Sequence, residues 1–270
     1  MKKNKSWIII NSFLAFVSAF IFIKAVIIFT KFIVIRYFGG STQLENFEME
    51  CVTWSYSSFW TTESVISIYL IGFFVSLILI LISIFLFKKF KTVRGFIKLW
   101  FSWLYVFAVN QSIGMFLRDI PFERDIYHAL NWMFIPYALM IVIAVLSLPL
   151  LFAMNYGNDI RFLRMAPSFD NIISNRRRRF FYTNVALIPS VLGSMFILLL
   201  HLYGINLFEI VEKLLIIFAI LIAYMRFTKD DLIVEFHIVK DEPINKPSPL
   251  LITMFIVTLF SFLFLKNIYF

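Results

Sequence analysis

Apolar residues run in long unbroken stretches along this chain, with short polar segments between them. An α-helix needs about 20 such residues to cross a hydrocarbon layer. Seven stretches approach that length: 7–30, 65–87, 97–117, 132–153, 183–203, 207–226 and 250–268. Two polar-flanked segments have a different period. In NFEMECVTWSY, 46–56, Phe47, Met49 and Cys51 alternate with Glu48 and Glu50. In DLIVEFHIVK, 231–240, Leu232, Val234, Phe236 and Ile238 fall on one face. A period of two predicts short strands. DEPINKPSP, 241–249, is a proline-broken linker. The pattern predicts an all-α polytopic membrane protein of six to seven transmembrane helices, with short extramembrane β-strand segments. Residues 1–270 form a single integral membrane domain. Its extramembrane parts are an outer loop, 38–64, and two cytoplasmic loops, 155–181 and 227–249.

Composition strengthens this picture. The 270 residues are 61% hydrophobic and 15% charged, against about 25% charged in soluble domains. In water such a chain would expose large apolar patches and associate. The first stretch is too long for a cleavable signal peptide and is followed by no small-residue cleavage site, so it reads as a retained anchor. The single cysteine, Cys51, allows no intrachain disulfide.

The net charge of +9 would suggest nucleic acid on a soluble protein. Its distribution gives it another meaning. With the N-terminus inside, 18 of the 25 Lys and Arg residues fall in inner segments and four (Arg36, Arg118, Arg124, Lys266) in outer ones. Lys24, Lys31 and Lys213 lie in or beside spans. Positive charge marks the cytoplasmic side, so the N-terminus is expected in the cytoplasm of a bacterial cell and, with seven spans, the C-terminus outside. Trp7, Trp100, Trp103 and Tyr182 would then sit at the inner boundary, and Tyr37, Tyr127, Trp132 and Tyr203 at the outer one. Arg176, Arg177, Arg178 and Arg179 become a topology anchor on anionic lipid headgroups, each worth about 1 kcal/mol. The expected partners are the bilayer and another membrane protein, not nucleic acid.

The search for chemistry starts with metals. The only histidines are His128, His201 and His237, and no HExxH or CxxC occurs. Zinc needs three or four converging ligands, so no metal, cofactor or catalytic residue is proposed by motif. Polar groups at membrane depth are the remaining candidates, because they are costly there. Asn110 and Gln111 lie late in the third stretch, Gly114 follows one turn on, where another helix can approach, and Arg118 comes two turns after Asn110. They could line an outward polar cavity or make interhelical hydrogen bonds. Lys24 and Lys31 are seven residues apart and share a helical face; a carboxylate such as Glu63 could pair with Lys24. Glu209, Glu212 and Lys213 read as a self-neutralising helix start. Pro149 and Pro189 could break the fourth and fifth spans, as in many transporter sites. RDIPFERD, 118–125, reads as an exposed polar cap held by its own ion pairs, with Pro121 ending the third helix.

A helix running to Gly39-Gly40, then a strand, then a long span resembles the front half of the site-2-protease-like intramembrane metalloproteases over residues 7–130. Where that family carries HExxH, about three turns before the glycine, this chain reads IIFTK, Ile27 to Lys31. Asn110, Pro121 and Asp125 echo the family's later NxxP…D element. The resemblance implies a relative without zinc or proteolysis, acting by binding or regulation. The leading expectation is a partner-binding or scaffold subunit of the inner membrane. The alternative is a transporter or channel using the region around Asn110, Gln111 and Arg118.

Overall fold

The computed structural model describes residues 2–45, 48–53, 57–89, 95–168, 171–200, 207–225 and 244–265. In chain order the elements are α1 (Lys2–Tyr37), β1 (Thr42–Glu45), β2 (Glu48–Cys51), α2 (Thr62–Lys89), α3 (Gly95–Ser112) and α4 (Gly114–Asp119). They continue as α5 (Asp125–Trp132), α6 (Tyr137–Tyr156), α7 (Asn158–Leu163), α8 (Asn175–Tyr182), a π-helical stretch (Thr183–Leu187), α9 (Ile188–Leu200), α10 (Leu207–Met225) and α11 (Pro249–Leu265).

The described residues are overwhelmingly helical, with one short two-stranded hairpin, in keeping with an all-α membrane architecture. Among the described residues, four helical runs are long and apolar enough to cross a bilayer: Ser6–Tyr37, Thr62–Lys89, Tyr137–Leu163 and Asn175–Leu200. Length and composition therefore support four of the seven expected spans. The other three expected spans fall below that measure. α3 has 18 residues rich in Trp, Ser, Asn and Gln, α10 carries Glu209, Glu212 and Lys213, and α11 has 17 described residues.

α3 tolerates its polarity because it faces protein: 16 of its 18 residues are buried, against α1, α2, α6, α7 and α10. α6 is the opposite case. Leu139, Val142, Val145, Leu146 and Leu150 are all exposed on it, a surface suited to lipid.

In lipid there is little hydrophobic drive between helices, so packing and hydrogen bonds join them. The α1–α3–α9 contact shows how. Phe16 of α1 is fully buried, edge-on to Trp103 at 4.9 Å and Phe107 at 4.8 Å between ring centres. It fits because Gly193 of α9 has no side chain; a Cβ there would overlap the ring. Pro189 has no N–H for the carbonyl of Val185, four residues back. Ser12 Oγ of α1 donates to that carbonyl, and Trp103 Nε1 donates to Ser12 Oγ at 2.9 Å. The backbone accommodates Pro189 with the π-helical stretch and goes on as α9. α6 likewise runs through Pro149 without interruption. Neither proline breaks its helix.

Trp103 and Tyr182 belong to this core, fully buried, not to an interfacial belt; the Tyr182 hydroxyl donates to Ile220 O at 3.2 Å. Trp132 and Tyr37 are exposed.

α1 ends in a Schellman turn. Gly39 takes φ +80°, its N–H bonds Arg36 O at 3.0 Å, and Gly40 N–H bonds Ile35 O at 2.9 Å. At Gly40 a Cβ would run into the Phe59 ring. The chain then forms an antiparallel hairpin, with Thr42 opposite Cys51 and Glu45 opposite Glu48. The strand expected over 46–56 is thus the shorter β2. The strand expected at 231–240, His201, Tyr203 and His237 lie outside the described residues.

Candidate functional site

The polar groups of the bundle converge on Glu212, which α10 carries against α3 and α4. Its carboxylate is 3% exposed and collects three cations. Lys24 Nζ reaches Oε1 at 2.8 Å, Arg118 Nη1 reaches the same oxygen at 2.8 Å, and Lys213 Nζ reaches Oε2 at 2.6 Å. Gln111 Nε2 donates to Oε1 as well, and Asn110 Nδ2 donates to the Glu212 backbone carbonyl at 3.3 Å. A buried carboxylate is sustained only by such company.

Arg118 organises one side of the cluster. Its Nε donates to Asp119 Oδ1 at 2.7 Å and its Nη1 to Gln111 Oε1 at 3.3 Å. Burial works against the Arg118 cation, but Asp119 and Glu212 hold its pKa above the ordinary guanidinium value. Burial pushes the Asp119 carboxyl up, opposed by the pull of Arg118. Asp119 Oδ2 is buried with no hydrogen-bond partner among the described residues. Aromatic faces also lie against these cations. Lys213 Nζ lies 3.8 Å from the centre of the Phe20 ring, and Phe208 faces both Arg118, at 4.6 Å, and Arg124, at 4.4 Å.

Beside this cluster lies a cavity of about 390 Å³ between α1, β2, α2, α4, α5 and the start of α10. Lys24, Lys31, Gln111, Arg118 and Asp119 line it, with Cys51 on the hairpin side. Lys31 pairs there with Asp125 at 2.9 Å and lies over Tyr69.

The structure brings Lys24, Asn110, Gln111 and Arg118 together, four of the five binding candidates. Glu63 is exposed in the first turn of α2, and the carboxylate that pairs with Lys24 is Glu212. Gly114 makes room for the Asn110 side chain, which a Cβ would strike. RDIPFERD is not an exposed, self-paired cap. Arg118 and Asp119 are buried, Arg118 also turns inward to Glu212, and Asp125 turns to Lys31. Lys213 pairs with its neighbour Glu212, so these α10 charges join the core rather than neutralise a helix start.

Glu212 is the residue that sequence reasoning undervalued. The available signal was an acid inside an apolar run, with Lys24, Lys213 and Arg118 at similar depth and in need of a counter-charge.

Arg176 and Arg177 are exposed on α8. Arg178 Nε donates to Ile172 O at 2.6 Å, and Ser174 caps the helix by accepting from Arg177 N–H.

The chain matches no protein-family model, no curated protein and no solved structure with which it was compared.

Proposed function

We propose that this is a multi-spanning protein of the bacterial inner membrane that works by binding, as a partner-binding or scaffold subunit. One observation carries the reading: Asn110, Gln111, Arg118 and Glu212 are hydrogen-bonded to one another inside the bundle. That is the arrangement of a rigid support rather than of groups poised on a reacting centre. In this reading α3, α10 and α11 also lie at membrane depth, giving up to seven spans, with α3 shielded from lipid by its neighbours. The N-terminus is cytoplasmic, the hairpin faces outward, and Arg176 to Arg179 rest on anionic headgroups at the inner surface. The turn at Gly39-Gly40, the hairpin and the long α2 support a kinship in layout with non-catalytic relatives of site-2-protease-like enzymes.

The cavity favours a second reading, a transporter or channel. It is lined by Lys24, Gln111 and Arg118, and it would open on the outer side.

Purification in mild detergent, with identification of the proteins that co-purify, tests the first reading. A stoichiometric partner supports it. A monodisperse protein that travels alone counts against it.

A further inference from the structure

Around Glu212 three cations, Lys24, Lys213 and Arg118, touch two carboxylates, Glu212 and Asp119. Lys213, at 3% exposure, is sealed from solvent, and the neighbouring Lys31 pairs with Asp125. Charges at this depth need close partners.

Two of the three cations, Lys24 and Arg118, line the cavity. Arg118 commits Nε and Nη1 to protein partners and, among the described residues, makes no hydrogen bond through Nη2. Lys24 has a single carboxylate partner and a side chain that is 20% exposed. The volume of about 390 Å³ is in the range of roughly 300–1,000 Å³ typical of small-molecule sites.

We propose that this cavity binds a small oxyanion, a carboxylate or phosphate group seated between Lys24 Nζ and Arg118 Nη2. A guanidinium N–H and an ammonium together suit an oxygen-bearing anion. Both a soluble metabolite and a lipid headgroup offer this chemistry. The inference depends on neither reading of the preceding section, since a scaffold and a carrier can each hold a ligand.

Cys51, half-buried and in the cavity wall, is the only cysteine of the chain and reports occupancy. The full chain is treated with a small neutral maleimide in dodecyl maltoside micelles, which contain no phosphate, and in discs of phosphatidylglycerol. Inorganic phosphate and succinate are the added probes. At ten times its Kd a bound anion slows alkylation of Cys51 roughly tenfold by mass action, while potassium chloride at equal ionic strength leaves the rate unchanged. Lys24→Gln raises the anion concentration needed on the order of tenfold, as the loss of one charge-assisted hydrogen bond implies. Protection by a probe in micelles identifies a free solute, and protection only in phosphatidylglycerol discs identifies a headgroup; both support the site. No protection in any condition overturns it. Protection that is undiminished in Lys24→Gln also overturns it. Arg118→Gln is a second variant, and where it does not fold, the partly exposed Lys24 still decides the outcome.

Discussion

Lys24 of α1 and Glu212 of α10 meet at 2.8 Å, tying the first long helix of the chain to one of its last. The contact is one arm of a junction that also holds Arg118 and Lys213, and the junction's value to the fold is directly measurable.

Glu212→Gln removes the one acid that Lys24, Lys213 and Arg118 share. Breaking a buried pair from one side costs about 3–5 kcal/mol, and here Lys24 and Lys213 lose their carboxylate partner while Arg118 keeps only Asp119. The expected result is a large fall in thermal stability in micelles. Adding Lys213→Met to Glu212→Gln removes one of the stranded charges and recovers part of the loss. If the double variant is no more stable than the single one, the charge-balance argument is wrong.

Asp125→Asn provides the contrast. Its pair with Lys31 is comparably close, at 2.9 Å, but the carboxylate is 44% exposed. Solvent-exposed pairs are worth about 0–1 kcal/mol. The melting temperature is expected to move little, measured beside Glu212→Gln in the same detergent.

Gly193→Ala tests the Phe16 notch. The added methyl would overlap the ring, so α1 and α9 must part or Phe16 must leave its rotamer. Overpacking of this kind costs about 1–3 kcal/mol. Phe16→Leu in the same chain should relieve it. Denaturation in sodium dodecyl sulfate reads both variants, and additive losses would sink the proposed contact.

Ser12→Ala removes the middle of the relay from Trp103 Nε1 to the Val185 carbonyl. Interhelical hydrogen bonds in membranes average about 0.6 kcal/mol each, so two of them put the expected loss near about 1 kcal/mol. The same denaturation measurement, with Trp103 fluorescence as an added probe of its surroundings, checks it.

Orientation is tested by thiol labelling of intact cells. Cys51 should react with an impermeant reagent from outside. In a Cys51→Ser chain, Arg177→Cys should react only after the membrane is opened. The reverse pattern would invert the proposed topology.

Much of the helical layout is readable in the sequence because it follows from local patterns. The apolar runs fall on the long helices, although α1 runs to Tyr37, past the expected 30, and the fifth helical run starts at Asn175, before the expected 183; Gly39-Gly40 marks the end of α1 through its left-handed turn. Lys24 and Lys31 share a face because seven residues make two turns. What is not readable depends on residues distant in sequence. The segment from Arg118 to Asp125 looks nearly self-neutral when its charges are counted along the chain. In space, Arg118 and Asp125 find partners on α10 and α1. Trp103 and Tyr182 look interfacial by position, and only packing shows that their polar ends have partners in the core. The number of spanning helices is not fixed by the sequence, because apolar length alone cannot distinguish a helix that faces lipid from one enclosed by other helices.

The enclosure of α3 has a consequence for biogenesis. A segment carrying Lys98, Asn110 and Gln111 partitions weakly into lipid by itself, so its entry from the insertion machinery should depend on α1 and α2 already waiting alongside. Glycosylation mapping of chains cut after α4 would then show α3 threaded when both predecessors are present, and left outside or pulled through when α1 is exchanged for an unrelated anchor.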